Sequence, residues 1–223
     1  SELGESREIA EKRLELLEKR FSKTRELEQQ YKGFLQEYEN LGHMSRSTDL
    51  GEQGFGYFLP HHAVCKDTST TTKIRVVFDA SAKTTSGLSL NDTLKIGPVV
   101  QDDLFSILIR FRLYNVVITG DVEKMYRQIL VDESQRDFQR ILWRSDSSKS
   151  IQEYSLNTIT YGMSVSPYLA TRCLRQIGLD CQNQFPQASN AILNSFYVDD
   201  LLCGADTIDE AIRFRQDISS VLG

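Results

Sequence analysis

From residue 5 to residue 42 the chain alternates charged stretches with apolar residues at helical spacing. Leu14, Leu17 and Phe21 form one stripe, and Leu27, Tyr31, Phe34, Tyr38 and Leu41 form a second, the three-and-four period of a helix with one buried face. The stripes break at Ser22-Lys23-Thr24, where Thr24 suits an N-cap, and Gly42 suits the end of the second helix. Two amphipathic helices packed on a larger body are expected, because the heptad does not persist as a coiled coil requires. Residues 45–56 are polar and glycine-rich. Gly51-x-x-Gly54-x-Gly56 has no strand before it and no helical pattern after it, so it reads as turn chemistry and not as a phosphate loop.

Beyond that connector the period shortens. Gly56–Cys65 and Lys73–Phe78 read as strands, the latter with Ile74, Val76 and Phe78 alternating against Arg75 and Val77. The polar run 66–72 between them reads as a hairpin tip. A helix is expected over 102–113, capped near Gln101-Asp102, followed by the apolar run 115–121 as a buried strand ending in Asp121. Residues 122–136 read as helical or turn-like, 138–144 and 150–157 as strands, and a helix should run from near Pro167 through Ile177. Residues 188–196 pass from helix to strand, Val198–Leu201 turns a hairpin, and an amphipathic helix closes the chain from Thr207 to Leu222. Strands and helices mixed without regular βαβ units predict an α+β fold.

Composition changes little in this picture. The chain has 223 residues, 40% apolar and 26% charged, ordinary values for a soluble globular protein. No apolar run approaches the ~18 residues of a membrane span. The first residues lack both a signal-peptide core and an initiator methionine, which fits a fragment of a longer chain. Cys65, Cys173, Cys181 and Cys203 show no CxxC pairing, and His43, His61 and His62 lack metal-ligand spacing, so reduced thiols and an intracellular setting are expected. The net charge of −5 opposes a generic nucleic-acid coat. Locally the balance reverses: residues 57–120 carry seven Lys/Arg against five Asp/Glu.

Candidate chemistry lies in the carboxylates. Asp121 closes one apolar strand, and Asp199-Asp200 sits at the tip of an apolar hairpin. An Asp pair in a turn is ordinary by itself. If these strands share a sheet, however, three acidic groups meet at its edge and repel unless divalent cations neutralise them. All-oxygen ligation suits Mg²⁺, and two such ions suit an in-line displacement at phosphorus.

These residues carry a family resemblance. Tyr197-Val-Asp-Asp200 resembles the YxDD box of retroviral and retrotransposon reverse transcriptases. Asp121-Val-Glu-Lys-Met-Tyr126 resembles their first palm motif, Tyr161-Gly162 with Ser166-Pro167 their intervening motif, and Lys73-Ile-Arg-Val-Val-Phe-Asp-Ala-Ser81 their fingers hairpin. In wording these motifs, with Tyr57-Phe-Leu-Pro-His-His-Ala-Val64 and the lead-in 34–44, are most similar to the BEL/Pao class of long-terminal-repeat retrotransposons.

The resemblance implies a right-hand polymerase reduced to fingers and palm, with the thumb missing. A helical lead-in would occupy 1–50, the fingers hairpin and template-side segment 51–120, and the palm core 121–223, with a fingers-side insertion at about 123–165. Asp121, Asp199 and Asp200 would be catalytic and, with the Val122 carbonyl, would ligate two Mg²⁺ ions, Mn²⁺ being an alternative. Arg75, with Lys66 or Lys73, would grip the triphosphate of a dNTP. Tyr126 would exclude a ribose 2′-hydroxyl, and Tyr161-Gly162 would line the nascent base pair. Tyr197, Asn91, Pro98, Ser166 and Pro167 would meet an RNA or DNA template-primer. The thumb, ribonuclease H and integrase regions of the polyprotein would lie outside the chain, no membrane would be involved, and the setting would be a cytoplasmic virus-like particle or the nucleus. Three competing readings are a catalytically incompetent remnant, a palm-fold nucleotidyl cyclase and a helical interaction module built on residues 5–42.

Overall fold

The break at Ser22-Lys23-Thr24 separates two helices, α1 (Arg7–Phe21) and α2 (Arg25–Asn40). The computed structural model describes residues 3–47, 56–65 and 74–223. They form two units: one runs up to Lys95 and takes in Tyr126–Ser166, the other comprises Ile96–Met125 and Pro167–Gly223.

In the first unit α1 buries Ala10, Leu14, Leu17 and Phe21, and α2 buries Leu27, Tyr31, Leu35 and Tyr38. Leu35, not Leu41, completes the second stripe. Leu41 is 52% exposed because the helix has already ended there. Gly42 adopts φ +73°, a conformation that glycine takes without a Cβ clash, and the His43 N–H donates back to the Tyr38 carbonyl at 2.9 Å. Thr24 starts α2 but makes no side-chain cap bond.

Where the connector is expected to begin, the chain forms β1 (Met44–Arg46), so that Ser45 and Arg46 are strand and not connector. The fingers-like hairpin is β2 (His61–Cys65) and β3 (Ile74–Phe78), antiparallel with His61 opposite Phe78. After the short α3 (Leu90–Thr93), closed by a Ser89–Asp92 capping box, the unit resumes with β5 (Arg140–Trp143) and β6 (Gln152–Leu156). These pair antiparallel, and β1 adds to the other edge of β6. α1 packs on β2 and β5, and α2 on β3 and β1. At the centre, Tyr31 packs between Phe21, His61 and Trp143, with ring centroids 5.2–5.9 Å apart. His61 Nε2 lies 2.9 Å from the Leu142 carbonyl, which can only accept, so Nε2 carries the proton and Nδ1 accepts from the Tyr31 hydroxyl at 2.6 Å.

The second unit is a three-stranded antiparallel sheet, β4 (Val116–Asp121), β8 (Asp200–Ala205) and β7 (Phe196–Tyr197), in the order β4-β8-β7. Against it pack α4 (Leu104–Phe111), α6 (Pro186–Asn194) and α7 (Ile208–Leu222), while α5 (Ser166–Asp180) buries Ala170 and Leu174. Helix α4 is capped by Asp103, whose Oδ1 accepts the Ser106 N–H at 3.0 Å, and not by the preceding Gln101-Asp102. The expectation of a buried β4 is corrected: Val117 is 54% exposed, and Thr119, Gly120 and Asp121 are exposed as well. An apolar run reveals a strand but does not reveal whether both its faces are covered. The α+β class stands, with helices and separate antiparallel sheets.

Candidate active site

The sheet of the second unit decides where the acidic residues go. β4 pairs with β8 from Val116↔Ala205 to Asp121↔Asp200, so the run that starts with apolar residues ends with two carboxylates directly opposite. β7 and β8 are joined by Val198-Asp199, with Tyr197 opposite Asp200. A hairpin this tight brings Asp199 to the same end of the sheet. Asp121, Asp199 and Asp200 each offer a carboxylate oxygen, and these oxygens lie within 4.8 Å of one another. The backbone ties the two motifs together as well: the Val122 N–H donates to the Asp199 carbonyl at 3.1 Å. Val122's own carbonyl accepts from the Met125 N–H at 3.2 Å, leaving one lone pair for another partner.

The electrostatics of this corner are unfavourable as they stand. Burial first, and then the negative charges of Asp199, Asp200 and Glu123, raise the Asp121 carboxyl above the ordinary carboxylate range. Among the described residues no cationic side chain pairs with any of the three. Three converging carboxylates with all-oxygen donors and no counter-charge among those residues fit a hard divalent cation.

The turn between β7 and β8 is strained. Val198 has φ +57° while Asp199 does not share the left-handed region, the φ pattern of a type II′ turn, which favours glycine at its first position. A β-branched residue there costs roughly 1–3 kcal/mol. That cost is met by one side chain: Gln101 Oε1 accepts the Val198 N–H at 2.8 Å and Gln101 Nε2 donates to the Val198 carbonyl at 3.2 Å.

The family model described as "Reverse transcriptase (RNA-dependent DNA polymerase)" matches residues 66–223, about seven-tenths of the chain. The chain belongs to the reverse transcriptase family. Among solved structures it is similar to a foamy viral protease-reverse transcriptase in complex with double-stranded DNA, with TM-score 0.61 at 17% identity over 83% of this chain. It is also similar to the prototype foamy virus protease-reverse transcriptase, with TM-score 0.65 at 15% identity over 89%. At such identities the likeness is one of fold. This reverse transcriptase chain spans 27% and 22% of those two chains, about a quarter of their length. No curated protein sequence matches it.

The other expected site residues of the reverse transcriptase chain fall in two places. In the first unit, Arg75 is exposed on β3 opposite Val64. Lys66 and Lys73 lie outside the described residues. Tyr126 packs its ring edge-on against Tyr161, centroids 4.6 Å apart. Gly162 has φ +96°, and a Cβ there would stand 2.2 Å from the Phe78 carbonyl oxygen. Asn91 holds that loop: its amide nitrogen donates to the Gly162 carbonyl and to Ser81 Oγ, both at 2.9 Å, and its oxygen accepts the Ser164 N–H at 2.8 Å. Ser166 is buried and donates to the Thr160 carbonyl at 2.6 Å. In the second unit, Pro98, Pro167 and Tyr197 are exposed, and the Asp triad stands at the sheet end.

Two residues escape a reading of the sequence. Local pattern marks Gln101 only as a neighbour of a helix cap, yet it reaches Val198, 97 positions away. Arg127, next to Tyr126, lays its guanidinium over the rings of Phe34 and Tyr38, 5.0 and 4.6 Å from their centroids. Phe34 is the least buried member of the expected α2 stripe apart from Leu41, and an arginine stacked on it explains why an aromatic stands there. The aromatic pair one helical turn apart, Phe34 and Tyr38, was the available signal.

Proposed function

We propose that this chain is the fingers-and-palm portion of an RNA-directed DNA polymerase of BEL/Pao type, adding deoxynucleotides to a primer 3′-hydroxyl on an RNA or DNA template. The observation that carries the proposal is the convergence of Asp121, Asp199 and Asp200 at one end of the β4-β8-β7 sheet. Asp121, Asp199 and Asp200, with the free lone pair of the Val122 carbonyl, would hold two Mg²⁺ ions, or Mn²⁺. When bound, these would favour ionisation of the 3′-hydroxyl and neutralise the charge of the departing pyrophosphate.

The protein's own residues supply position. The Val122–Asp199 backbone bond fixes the spacing of the two motifs, and the paired strands hold the carboxylates rigidly before any substrate arrives. Arg75 offers a planar fork to the triphosphate, with Lys66 or Lys73 as an additional point charge. Tyr126, fixed by Tyr161, stands against a 2′-hydroxyl, and Tyr161-Gly162 lines the nascent pair. Asn91 shapes that loop, the expected template contact at Ser166 is replaced by a buried brace on the Thr160 carbonyl, and Pro98, Pro167 and Tyr197 contribute to the template-primer surface. In this reading residues 1–50 are a lead-in, 51–120 carry the fingers hairpin and template-side segment, and 121–223 form the palm core. The polyprotein supplies thumb, ribonuclease H and integrase regions, and the protein works inside the cell, in a cytoplasmic virus-like particle or the nucleus.

The test is primer extension on poly(rA)/oligo(dT) by residues 1–223 with Mg²⁺. Incorporation that Asp199→Asn abolishes is the expected result. Absence of incorporation from the intact chain favours the incompetent remnant, and template-independent consumption of nucleotide favours a cyclase.

A further inference from the structure

The hairpin that carries Asp199 is built around a residue poorly suited to its place. A two-residue connection with positive φ at its first position is the natural place for glycine, yet Val198 stands there at φ +57°. Its branched Cβ favours the extended region, so the turn would relax if nothing held it. Relaxation would move the next residue, Asp199, away from Asp121 and Asp200.

Gln101 opposes this. It lies three residues before the first residue of α4, where Asp103 caps the helix and Asp102 pairs with Arg110 at 2.7 Å. Each neighbour is thereby committed to α4, and the Gln101 amide is left to face the turn. Its two ends take both polar groups of Val198, the N–H at 2.8 Å and the carbonyl at 3.2 Å. A side-chain amide engaged at both ends ties together the two peptide units that flank the Val198 Cα, because rotation of either one breaks a bond. No other residue type of that length has an acceptor and a donor in one plane.

We infer that Gln101 is the positioning residue of the metal site: its bidentate amide holds Val198 in the left-handed conformation and so sets the reach of the Asp199 carboxylate. The inference rests on the reading of Asp121, Asp199 and Asp200 as a divalent-cation site. Both ends of the Gln101 amide are taken by Val198, so its effect passes through the backbone.

Direct Mn²⁺ binding to the full 223-residue chain, followed by calorimetry or by the electron paramagnetic resonance of free Mn²⁺, tests this without requiring turnover. Gln101→Met keeps the volume and removes both hydrogen bonds; it should weaken Mn²⁺ binding about tenfold, as loss of supporting partners around metal ligands commonly does. Val198→Gly removes the strain and should bind about as well as the unaltered chain. Placed in the Val198→Gly background, Gln101→Met should lose little further affinity, since glycine adopts the turn without help. Circular dichroism of each variant confirms that it is folded, and the rescue by Val198→Gly distinguishes a held turn from general loosening.

If Gln101→Met binds Mn²⁺ as tightly as the unaltered chain while Asp199→Asn does not bind, the role of Gln101 is wrong and the metal site stands. An equal loss with and without Val198→Gly also overturns it, because the bond would then not be acting on strain. If the unaltered chain binds no better than Asp199→Asn, the metal reading falls, and the role of Gln101 falls with it.

Discussion

Asp121 and Asp200 are direct partners across the β4–β8 ladder, the last pair of a register whose other members are uncharged. Like charges directly opposite on antiparallel strands destabilise the pairing. Without divalent cations, Asp200→Asn should therefore raise the urea midpoint. The gain should stay below about 1 kcal/mol, since both side chains are solvent-exposed and partly screened. In millimolar Mg²⁺ the order should narrow or reverse, because a cation that binds only the folded carboxylate cluster stabilises the unaltered chain more. Unfolding curves in EDTA and in Mg²⁺ provide the comparison; an Asn variant less stable in EDTA contradicts the argument.

Three glycines separate conformational from steric demand. Gly33 lies inside α2 with nothing within 4 Å of where an alanine methyl would stand, so Gly33→Ala should stabilise by about 0.5–1 kcal/mol. Gly42 has the same open space but φ +73°, so Gly42→Ala should cost on the order of 1 kcal/mol. Gly162 combines φ +96° with a backbone oxygen 2.2 Å from the same methyl position, and Gly162→Ala should cost clearly more than Gly42→Ala. Thermal melts of the three variants give the ranking, and an equal cost at 42 and 162 would remove the close approach to Phe78 from the account.

Much of this arrangement was legible before the structure. The α1 and α2 stripes, the β2–β3 hairpin and the terminal helix follow from period alone, and Asp121 and Asp199-Asp200 stood out because each ends an apolar run. What escaped has a common cause: periodicity tells which face of an element is apolar, not what it meets. β1 is three residues long, too short to show alternation, and exists because Met44 can sit opposite Leu156. The exposure of β4 was hidden for the converse reason, since its apolar composition is the same whether one face or both are covered. Gln101 and Arg127 act on partners far away in sequence, through geometry that no local pattern encodes.

His61 makes stability depend on pH. Burial first, partly offset by its bond to the Leu142 carbonyl and reinforced by His62, lowers its pKa from 6.5 to about 4. The folded pKa lies below the unfolded one, so the unfolded chain takes up the proton first as pH falls. The contribution is complete above about 6.5 and is lost on descending to about 4, with a slope approaching roughly 1.4 kcal/mol per pH unit within that window. Denaturant midpoints measured across the window should follow this trend. The double variant Tyr31→Phe/His61→Leu, which removes the titrating ring and the hydroxyl that depends on it, should flatten the curve. An unchanged slope in the double variant assigns the dependence to other groups.

The platform under Arg127 allows a sharper prediction, because removing the charge and removing its support are not equivalent. The side chain is only 12% exposed and its guanidinium lies over Phe34 and Tyr38, with a Glu37 oxygen 3.7 Å away and its Nε without a hydrogen-bond partner. Arg127→Met places an apolar chain on the same rings and should change stability little, as replacement of buried charge by matching apolar volume often does. Phe34→Ala and Tyr38→Ala leave the charge in place and remove a face that supports it; each should cost at least about 2 kcal/mol, from lost burial together with the lost cation–π contact. Tyr38→Phe keeps the ring and removes a buried hydroxyl that makes no hydrogen bond, so it should be neutral or slightly stabilising. If polymerase activity is obtained, Arg127→Met should nevertheless raise the KM for dNTP more than it lowers kcat, because Tyr126 is the adjoining residue and its ring depends on where that segment rests. Chemical denaturation of the four variants and steady-state kinetics of Arg127→Met test the two halves separately. A large stability loss in Arg127→Met would show the charge itself, and not the packing, to hold α2 against residues 126–128.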